Sequence, residues 1–130
     1  MKKIVLDTSA YSQLMRGDKE VEEALNQADQ VYLPSFVIAE LLIGFRKGAR
    51  EEENREILGK FESMPTVERL FPSDETVEIF SEIFLDLKNA GTPIPVHDLW
   101  IAALAIETGS VILTFDKHFE AVQKARVWKK

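Results

Sequence analysis

The sequence predicts an α/β fold, a three-layer α/β/α sandwich with a mostly parallel central sheet. Short apolar runs of strand type alternate with longer segments of helical periodicity along the 130 residues, and this alternation is typical of a parallel sheet covered by helices. Two of the apolar runs, residues 2–6 and 110–115, end directly at an acid, Asp7 and Asp116. Because ligand crevices form at the carboxyl ends of parallel strands, we expect these two acids to meet at one edge of the sheet.

The predicted elements follow the order strand, helix, helix three times, and then strand, helix and a last short strand. No internal repeat, low-complexity tract or linker interrupts this order, so we expect one domain over residues 1–130. The ranges of the main elements are 2–6, 8–14, 18–28, 30–33, 35–47, 50–63, 67–71, 74–90, 97–107, 110–115 and 117–122.

The first helices are delimited by breakers and caps. Gly17 ends the first helix, and Asp18 caps a second one with a single apolar face. Pro34 closes the second strand, Ser35 is predicted to cap the apolar helix that follows, and Gly48 ends that helix. The fourth helix is polar, and its alternating charges indicate a solvated surface.

The later elements are marked in the same way. Ser73 opens a long helix that Gly91 ends, and a proline-containing connector, residues 92–95, leads to a helix that is almost entirely apolar after Asp98. Gly109 ends this helix before the next strand. The buried stripe of the long helix is predicted to consist of Val77, Phe80, Phe84 and Leu87.

Composition excludes several classes of protein. The chain has no cysteine, so disulfide frameworks and thiolate metal sites are excluded, which suits a reducing cytosol. The longest apolar tract, residues 36–45, contains Glu40 and is too short to span a membrane. We therefore expect a soluble, cytoplasmic protein. The net charge of −6 would argue against a nucleic-acid partner, but four of these charges belong to the acids described next, and one or two divalent ions would offset most of them.

Four acids interrupt otherwise apolar segments: Asp7, Glu40, Asp98 and Asp116. A buried, ionised carboxylate needs a compensating partner, and Glu40 has no basic residue within one helical turn. A shared divalent cation would account for all four acids. Oxygen ligands without a cysteine or a histidine cluster favour hard cations, so we expect Mg²⁺ or Mn²⁺.

Each acid also has a purely structural interpretation. Asp7, Asp98 and Asp116 stand where an N-cap or a first-turn carboxylate is favoured, and Glu40 alone is compatible with a surface glutamate at a helix rim. Capping explains the acids separately. It does not explain why a small domain places all of them after apolar strands or within apolar helices, and this common placement favours the metal interpretation.

Hydroxyl and imidazole side chains flank these acids. Thr8 or Ser9 is expected to orient Asp7 or to hold a water, and Thr114 is expected to do the same beside the last acid. The two histidines, His97 and His118, are interpreted as structural or surface residues without a chemical role.

Phosphoryl chemistry is the reaction that such a site favours. Mg²⁺ commonly combines one or two carboxylates with phosphate oxygens, and it lowers the pKa of water to produce a nucleophile. The sequence has no glycine-rich phosphate loop after a strand and no G-x-S-x-G motif, so P-loop nucleotide binding and serine-hydrolase chemistry are excluded.

Four segments distributed over essentially the whole chain carry a family resemblance. They are Val5-Leu6-Asp7-Thr8-Ser9, Ile38-Ala39-Glu40-Leu41, the stretch from His97 to Ala105, and the stretch from Leu113 to Phe119. In this order they resemble the PIN-domain ribonucleases, and among them the VapC-type toxins of type II toxin-antitoxin pairs.

The resemblance implies an Mg²⁺- or Mn²⁺-dependent endoribonuclease that cuts single-stranded or looped RNA. It implies that the four acids are the catalytic metal ligands and that Ser9 occupies the family's hydroxyl position. It also implies a homodimer that a cognate antitoxin holds inactive. His118 departs from the pattern, because some relatives carry an acid there, and a second metal position is left unassigned.

The expected RNA contacts are cations near the ends of the chain's helices: Arg46, Lys47 and Arg50 near Glu40, or Lys124, Arg126, Lys129 and Lys130 at the C-terminus. Two alternatives stay open. One is a PIN-like DNA or flap nuclease, and the other is a catalytically silent module whose acids form a docking groove for a basic peptide.

Overall fold

A computed structural model describes residues 2–128, which build a five-stranded sheet. Its strands are β1 (Lys3–Leu6), β2 (Gln30–Pro34), β3 (Val67–Leu70), β4 (Val111–Leu113) and β5 (Arg126–Val127). They lie in the order β3-β2-β1-β4-β5, and every pairing is parallel. The prediction of a mostly parallel central sheet is confirmed.

The connections between the strands are helical. The helices are α1 (Thr8–Met15), α2 (Lys19–Gln27), α3 (Ser35–Lys47), α4 (Glu51–Glu62), α5 (Asp74–Ala90) and α6 (Val96–Thr108). A short 3₁₀ helix, Lys117–Ala121, precedes β5. The order of all these elements agrees with the order predicted from the sequence, and the last predicted helix is of the 3₁₀ type.

The sheet reverses its direction of growth beside β1. The chain moves outward from β1 to β2 and β3, and it then crosses to β4 on the other side of β1. Because parallel crossovers are right-handed, the helices before β3 and those after it cover opposite faces of the sheet. The reversal point lies between β1 and β4, and a ligand crevice is expected at the carboxyl ends of these two strands.

The core lies on both faces of the central strand. Ile4, Val5 and Leu6 alternate between the two faces, and all three are buried. On one side, α6 contributes an almost continuous apolar surface and packs against α5 and β1. The predicted three-layer arrangement follows from this burial, because a strand can hide every side chain only between two layers of helices.

Two predicted details of the helices are wrong. Pro34, and not Ser35, is the N-cap residue of α3, and no side chain caps this helix. The fixed φ of −60° at Pro34 lets the chain leave the strand and enter the helix at once. On α5, Val77 and Phe84 are exposed.

The buried face of α5 is rotated from the predicted stripe. Its buried residues are Thr76, Ile83 and Leu87, and Phe80 is partly buried in a stack on Trp100 with the ring centroids 4.1 Å apart. The helix has apolar residues on two sides, so apolar spacing alone did not identify the side that packs on α6.

Within residues 2–128, no helix combines the length and the apolar character that crossing a membrane requires.

Candidate active site

Asp7 lies at the carboxyl end of β1 and is buried, with 5% of its surface exposed. It is the N-cap of α1, and its Oδ1 accepts a 2.8 Å hydrogen bond from the backbone N–H of Thr8. Its Oδ2 accepts a 2.7 Å hydrogen bond from the Thr114 hydroxyl and a 3.4 Å one from Ser9. The capping interpretation is therefore correct for this residue, and the second oxygen also joins the end of β1 to the end of β4.

The charge of Asp7 is poorly compensated by the protein. Burial raises the pKa of this carboxyl, and the negative charges of Asp98 and Glu40 raise it further, while hydrogen bonds from Thr114 and Thr8 lower it. Asp98 and Glu40 are therefore near enough to Asp7 for their charges to act on it. A nearby cation would favour the ionised form of all three.

Asp98 lies in the first turn of α6 and is also buried. The N-cap of this helix is Pro95, so Asp98 does not cap the helix with its side chain. Its Oδ2 lies 2.8 Å from Nδ1 of His118. Burial raises the pKa of Asp98, the charge of Asp116 adds to this effect, and the hydrogen bond from His118 opposes it.

Asp116 follows β4 and caps the 3₁₀ helix. Its Oδ1 accepts a 2.9 Å hydrogen bond from the backbone N–H of His118 and lies 3.0 Å from the Nδ1 of the same residue. Its own backbone N–H donates to the Thr114 hydroxyl at 2.9 Å. Asp116 is thereby fixed beside Asp98, with the His118 ring between the two carboxylates.

The sequence interpretation missed His118. One ligand atom each of Asp98, Asp116 and His118 lies within 4.8 Å of the others. The hydrogen bond to Asp98 raises the pKa of His118, and the charge of Asp116 also raises it. The signal in the sequence was the position of His118 two residues after an acid at a strand end, although only the fold shows that Asp98 contacts the same ring nitrogen.

Glu40 occupies the rim of the site. Its side chain is 48% exposed, and Oε2 lies 3.5 Å from Nε2 of His97. The expectation of a buried glutamate is wrong, and the alternative of a surface glutamate at the helix rim agrees with this exposure. Its basic neighbour, His97, comes from α6 and not from its own helix. Within residues 2–128, Nε2 of His97 has no hydrogen-bond partner, and the His97 ring packs edge-on against Phe36.

Two of the three predicted supporting hydroxyls join the strand ends. Ser9 Oγ accepts a 3.0 Å hydrogen bond from the backbone N–H of Phe115 and lies 3.3 Å from Thr114 Oγ1. Thr8 reaches Asp7 only through its backbone, and its buried hydroxyl oxygen has no hydrogen-bond partner in the described part of the chain. Ser9 and Thr114 therefore hold β1 and β4 in register at the site.

The candidate RNA-binding cations fall into two groups. Arg46, Lys47 and Arg50 are exposed, and Lys47 lies on the same face of α3 as Glu40, about 10 Å along the helix. Of the C-terminal cations, two contact other groups of the protein and two are outside the described residues. Lys124 pairs with Glu82 and Asp86, Arg126 donates to the Gly109 carbonyl, and Lys129 and Lys130 fall outside the described residues.

The donor set suits a hard divalent cation. Its members are carboxylates after β1, on α3, on α6 and after β4, and burial together with neighbouring negative charge raises the pKa values of Asp7 and Asp98. Carboxylate oxygens are the preferred protein ligands of such ions. The residues therefore fit the divalent metal that the sequence predicted.

A known protein family matches nearly the whole chain. The PIN domain model matches residues 4–125. The chain belongs to the PIN-domain family. A PIN-domain relative, the ribonuclease VapC of Rickettsia bellii, is 32% identical over 126 residues, which are 95% of this chain and 93% of that protein.

Solved structures show the same PIN fold. The DNA-bound VapBC of Salmonella typhimurium superposes with a TM-score of 0.86 at 25% identity and covers 98% of both chains. VapBC-5 of Mycobacterium tuberculosis, a member of the VapBC family of toxin-antitoxin systems, has a TM-score of 0.75 at 26% identity over the full length of both chains. The resemblance to PIN domains of VapC type is confirmed.

Proposed function

We propose that this protein is a metal-dependent endoribonuclease, the toxin of a toxin-antitoxin pair, and that residues 1–130 act as one nuclease domain. The observation that carries the proposal is that Asp98 and Asp116 lie together after β4, while the charges of Asp98 and Glu40 act on the buried Asp7 at the end of the neighbouring strand β1. The VapC relative of Rickettsia bellii is a ribonuclease, and the matched VapBC-5 belongs to a toxin-antitoxin system. Both support the same function for this chain.

The metal ligands in this proposal are Asp7, Glu40, Asp98 and Asp116, and the ion is Mg²⁺ or Mn²⁺. When bound, such an ion supplies Lewis acidity that lowers the pKa of water and offsets charge on a phosphodiester. The residues around the site fix the positions of the metal ligands. Thr114 and the backbone of Thr8 fix the two oxygens of Asp7.

Glu40 is the acid that is best placed to move a proton. Its carboxylate is half exposed at the rim, and it is not fixed by the hydroxyls that surround Asp7. We assign to the Glu40 carboxylate the acceptance of the proton from the attacking water, with the His97 imidazole 3.5 Å away from it. Arg46, Lys47 and Arg50 contact the RNA backbone on the side of the site next to α3.

The proposed setting is the cytoplasm, where a cognate antitoxin binds a homodimer of this protein. Exposed apolar side chains support partner surfaces, since a patch of this kind on a small protein commonly marks an interface. Those on α5 are Val77, Phe84 and Leu85, and Ile43 of α3 and Ile57 of α4 are also exposed. Light scattering of the purified protein, alone and with the product of a neighbouring small reading frame, tests both assemblies.

The activity is tested with a pool of structured RNA incubated with MgCl₂, with MnCl₂ or with EDTA. The expected result is endonucleolytic cleavage that EDTA abolishes and that the Asp98→Asn variant lacks. The matched control is Asp86→Asn, which removes an exposed acid of α5. Cleavage that persists in EDTA contradicts the proposal.

Parallel reactions separate the alternatives. Preferential cutting of DNA junctions over single-stranded RNA would show the DNA or flap nuclease. No cleavage, together with no heat of metal binding in calorimetry, would show a silent partner-binding module. Growth arrest on expression, relieved by the neighbouring gene product, is the expected result for a toxin.

A further inference from the structure

We propose that Nδ1 of His118 is a metal ligand and that the mixed set of Asp98, Asp116 and His118 makes the protein bind Mn²⁺ in preference to Mg²⁺. This inference rests on the proposed metal-dependent nuclease. It assigns to a histidine the selection of the ion, which the four carboxylates alone do not determine.

The first support is the position of the imidazole. Nδ1 lies 2.8 Å from Asp98 Oδ2 and 3.0 Å from Asp116 Oδ1. Adjacent ligands of an octahedral ion with bonds of 2.0–2.1 Å are separated by about 3 Å. The ring nitrogen thus has the spacing of a neighbouring ligand to each of the two carboxylate oxygens, and all three atoms lie within 4.8 Å of one another.

The second support is the way the ring is held. The backbone N–H of His118 donates to Asp116 Oδ1, and the 3₁₀ helix begins at that point. This contact fixes the backbone beside the ring and turns Nδ1 toward the carboxylates. The side chain is 50% exposed, so water is available to accept the proton that leaves Nδ1 when a metal replaces it.

Ligand chemistry then determines the preference. Mg²⁺ favours oxygen ligands and gains little from an imidazole, whereas first-row transition ions accept imidazole nitrogen well. Mn²⁺ accepts both kinds of ligand. Carboxylates bind both ions, and a nitrogen ligand shifts the balance further toward Mn²⁺.

The experiment measures binding and ligation directly. MnCl₂ and MgCl₂ are titrated separately into the purified, chelator-treated protein by calorimetry, and the Mn²⁺ complex is then studied by pulsed electron paramagnetic resonance. The wild type is expected to bind Mn²⁺ at least about tenfold more tightly than Mg²⁺ and to show hyperfine coupling to a ¹⁴N nucleus.

Substitution at position 118 tests the assignment. In the His118→Asp variant the ¹⁴N coupling is expected to disappear, and the preference for Mn²⁺ is expected to fall by about tenfold. His118→Asn serves as a second variant if the aspartate prevents folding, since it also offers only oxygen to the ion. The matched control is His97→Gln, which removes the other histidine of the site and is expected to keep the coupling.

The possible results are distinct. Coupling that survives in both variants of His118, or that is absent from wild-type protein with bound Mn²⁺, overturns the inference. If RNA cleavage in that case still depends on a metal, the proposed nuclease stands without the histidine ligand. If the wild type binds neither ion, both the inference and the proposed function are wrong.

Discussion

The Thr114 hydroxyl donates a 2.7 Å hydrogen bond to Oδ2 of Asp7, across strand ends that are 107 positions apart in the sequence. The same oxygen of Thr114 accepts the backbone N–H of Asp116. One buried hydroxyl therefore orients two of the proposed metal ligands. Thr114 is a positioning residue, and its effect on Asp7 is measurable because the hydrogen bond lowers the pKa of that carboxyl.

Replacing Thr114 by valine is expected to reduce RNA cleavage by about tenfold, since residues that orient metal ligands usually contribute 10–100-fold. Loss of the hydrogen bond raises the pKa of Asp7 further. The ionised carboxylate binds the cation, so the acid side of the pH–rate profile moves to higher pH. The Thr114→Ser variant keeps the hydroxyl and is expected to keep the wild-type profile. Identical profiles for the two variants would contradict this role.

The Asp7→Asn variant is expected to lose at least about 100-fold of the cleavage activity without losing metal-free stability. Burial raises the pKa of Asp7, so this group favours folding below its unfolded pKa, and the contribution is lost as pH rises through its folded pKa. At neutral pH the ionised form opposes folding, and asparagine removes that opposition. Thermal unfolding in EDTA checks this, with Asp86→Asn as the exposed control. A lower melting temperature for Asp7→Asn at neutral pH would be inconsistent with it.

Replacing Tyr11 by phenylalanine is expected to stabilise the protein by about 1 kcal/mol. The Tyr11 ring is buried edge-on against Phe61, and its hydroxyl has no hydrogen-bond partner within residues 2–128. Burial and the charge of Glu62 raise the pKa of Tyr11 to about 12. The wild type should therefore lose stability between about pH 10 and 12 relative to the variant. Urea unfolding at pH 8 measures the stabilisation by the substitution, and unfolding at pH 11 measures the loss of stability of the wild type. A variant that is less stable than the wild type at pH 8 would refute the predicted stabilisation.

The Thr76→Val substitution is expected to destabilise the fold by about 1–3 kcal/mol and to leave the cleavage rate unchanged well below the melting temperature. Thr76 is fully buried, accepts the backbone N–H of Ser73 at 2.8 Å and donates to Glu107. It thus joins the start of α5 to the end of α6, away from the acids. Ser81→Ala removes an exposed hydroxyl of the same helix and should be nearly neutral. Equal stability of the Thr76→Val and Ser81→Ala variants would show that the contacts of Thr76 do not stabilise the packing of α5 on α6.

The Lys47→Gln substitution is expected to raise KM for RNA severalfold with little change in kcat, and to reduce the slope of log KM against log salt by about one. Lys47 is exposed on the Glu40 face of α3. Lys2→Gln is the matched control, because Lys2 precedes β1 at the amino ends of the strands, and the acids lie at the carboxyl ends. If both variants respond alike, the RNA does not cross this face of α3.

Local sequence signals were sufficient for the order of elements. Glycines with positive φ, Gly91 and Gly109, end α5 and α6, and Asp18 caps α2 through two backbone N–H groups. Such signals act within a few residues, so they can be recognised from the sequence alone. The buried face of α5 could not be predicted from the sequence, because the apolar residues on both sides of the helix are equally compatible with a core.

The sequence singled out the acids of the candidate site but not the contacts of its histidines. The acids stood out because carboxylates are unusual in apolar segments. The roles of His97 and His118 depend on contacts with Glu40 and Asp98, which come from other elements of the fold. Only the three-dimensional arrangement shows that each imidazole stands beside a carboxylate.

The pairing of β1 with β4 also determines when during synthesis the candidate site can form. Asp7 is translated 107 residues before Thr114, so the hydrogen bond between them cannot form until β4 has left the ribosome. If the proposed ribonuclease activity requires this contact, the unfinished chain would not cut the RNA of the ribosome that makes it.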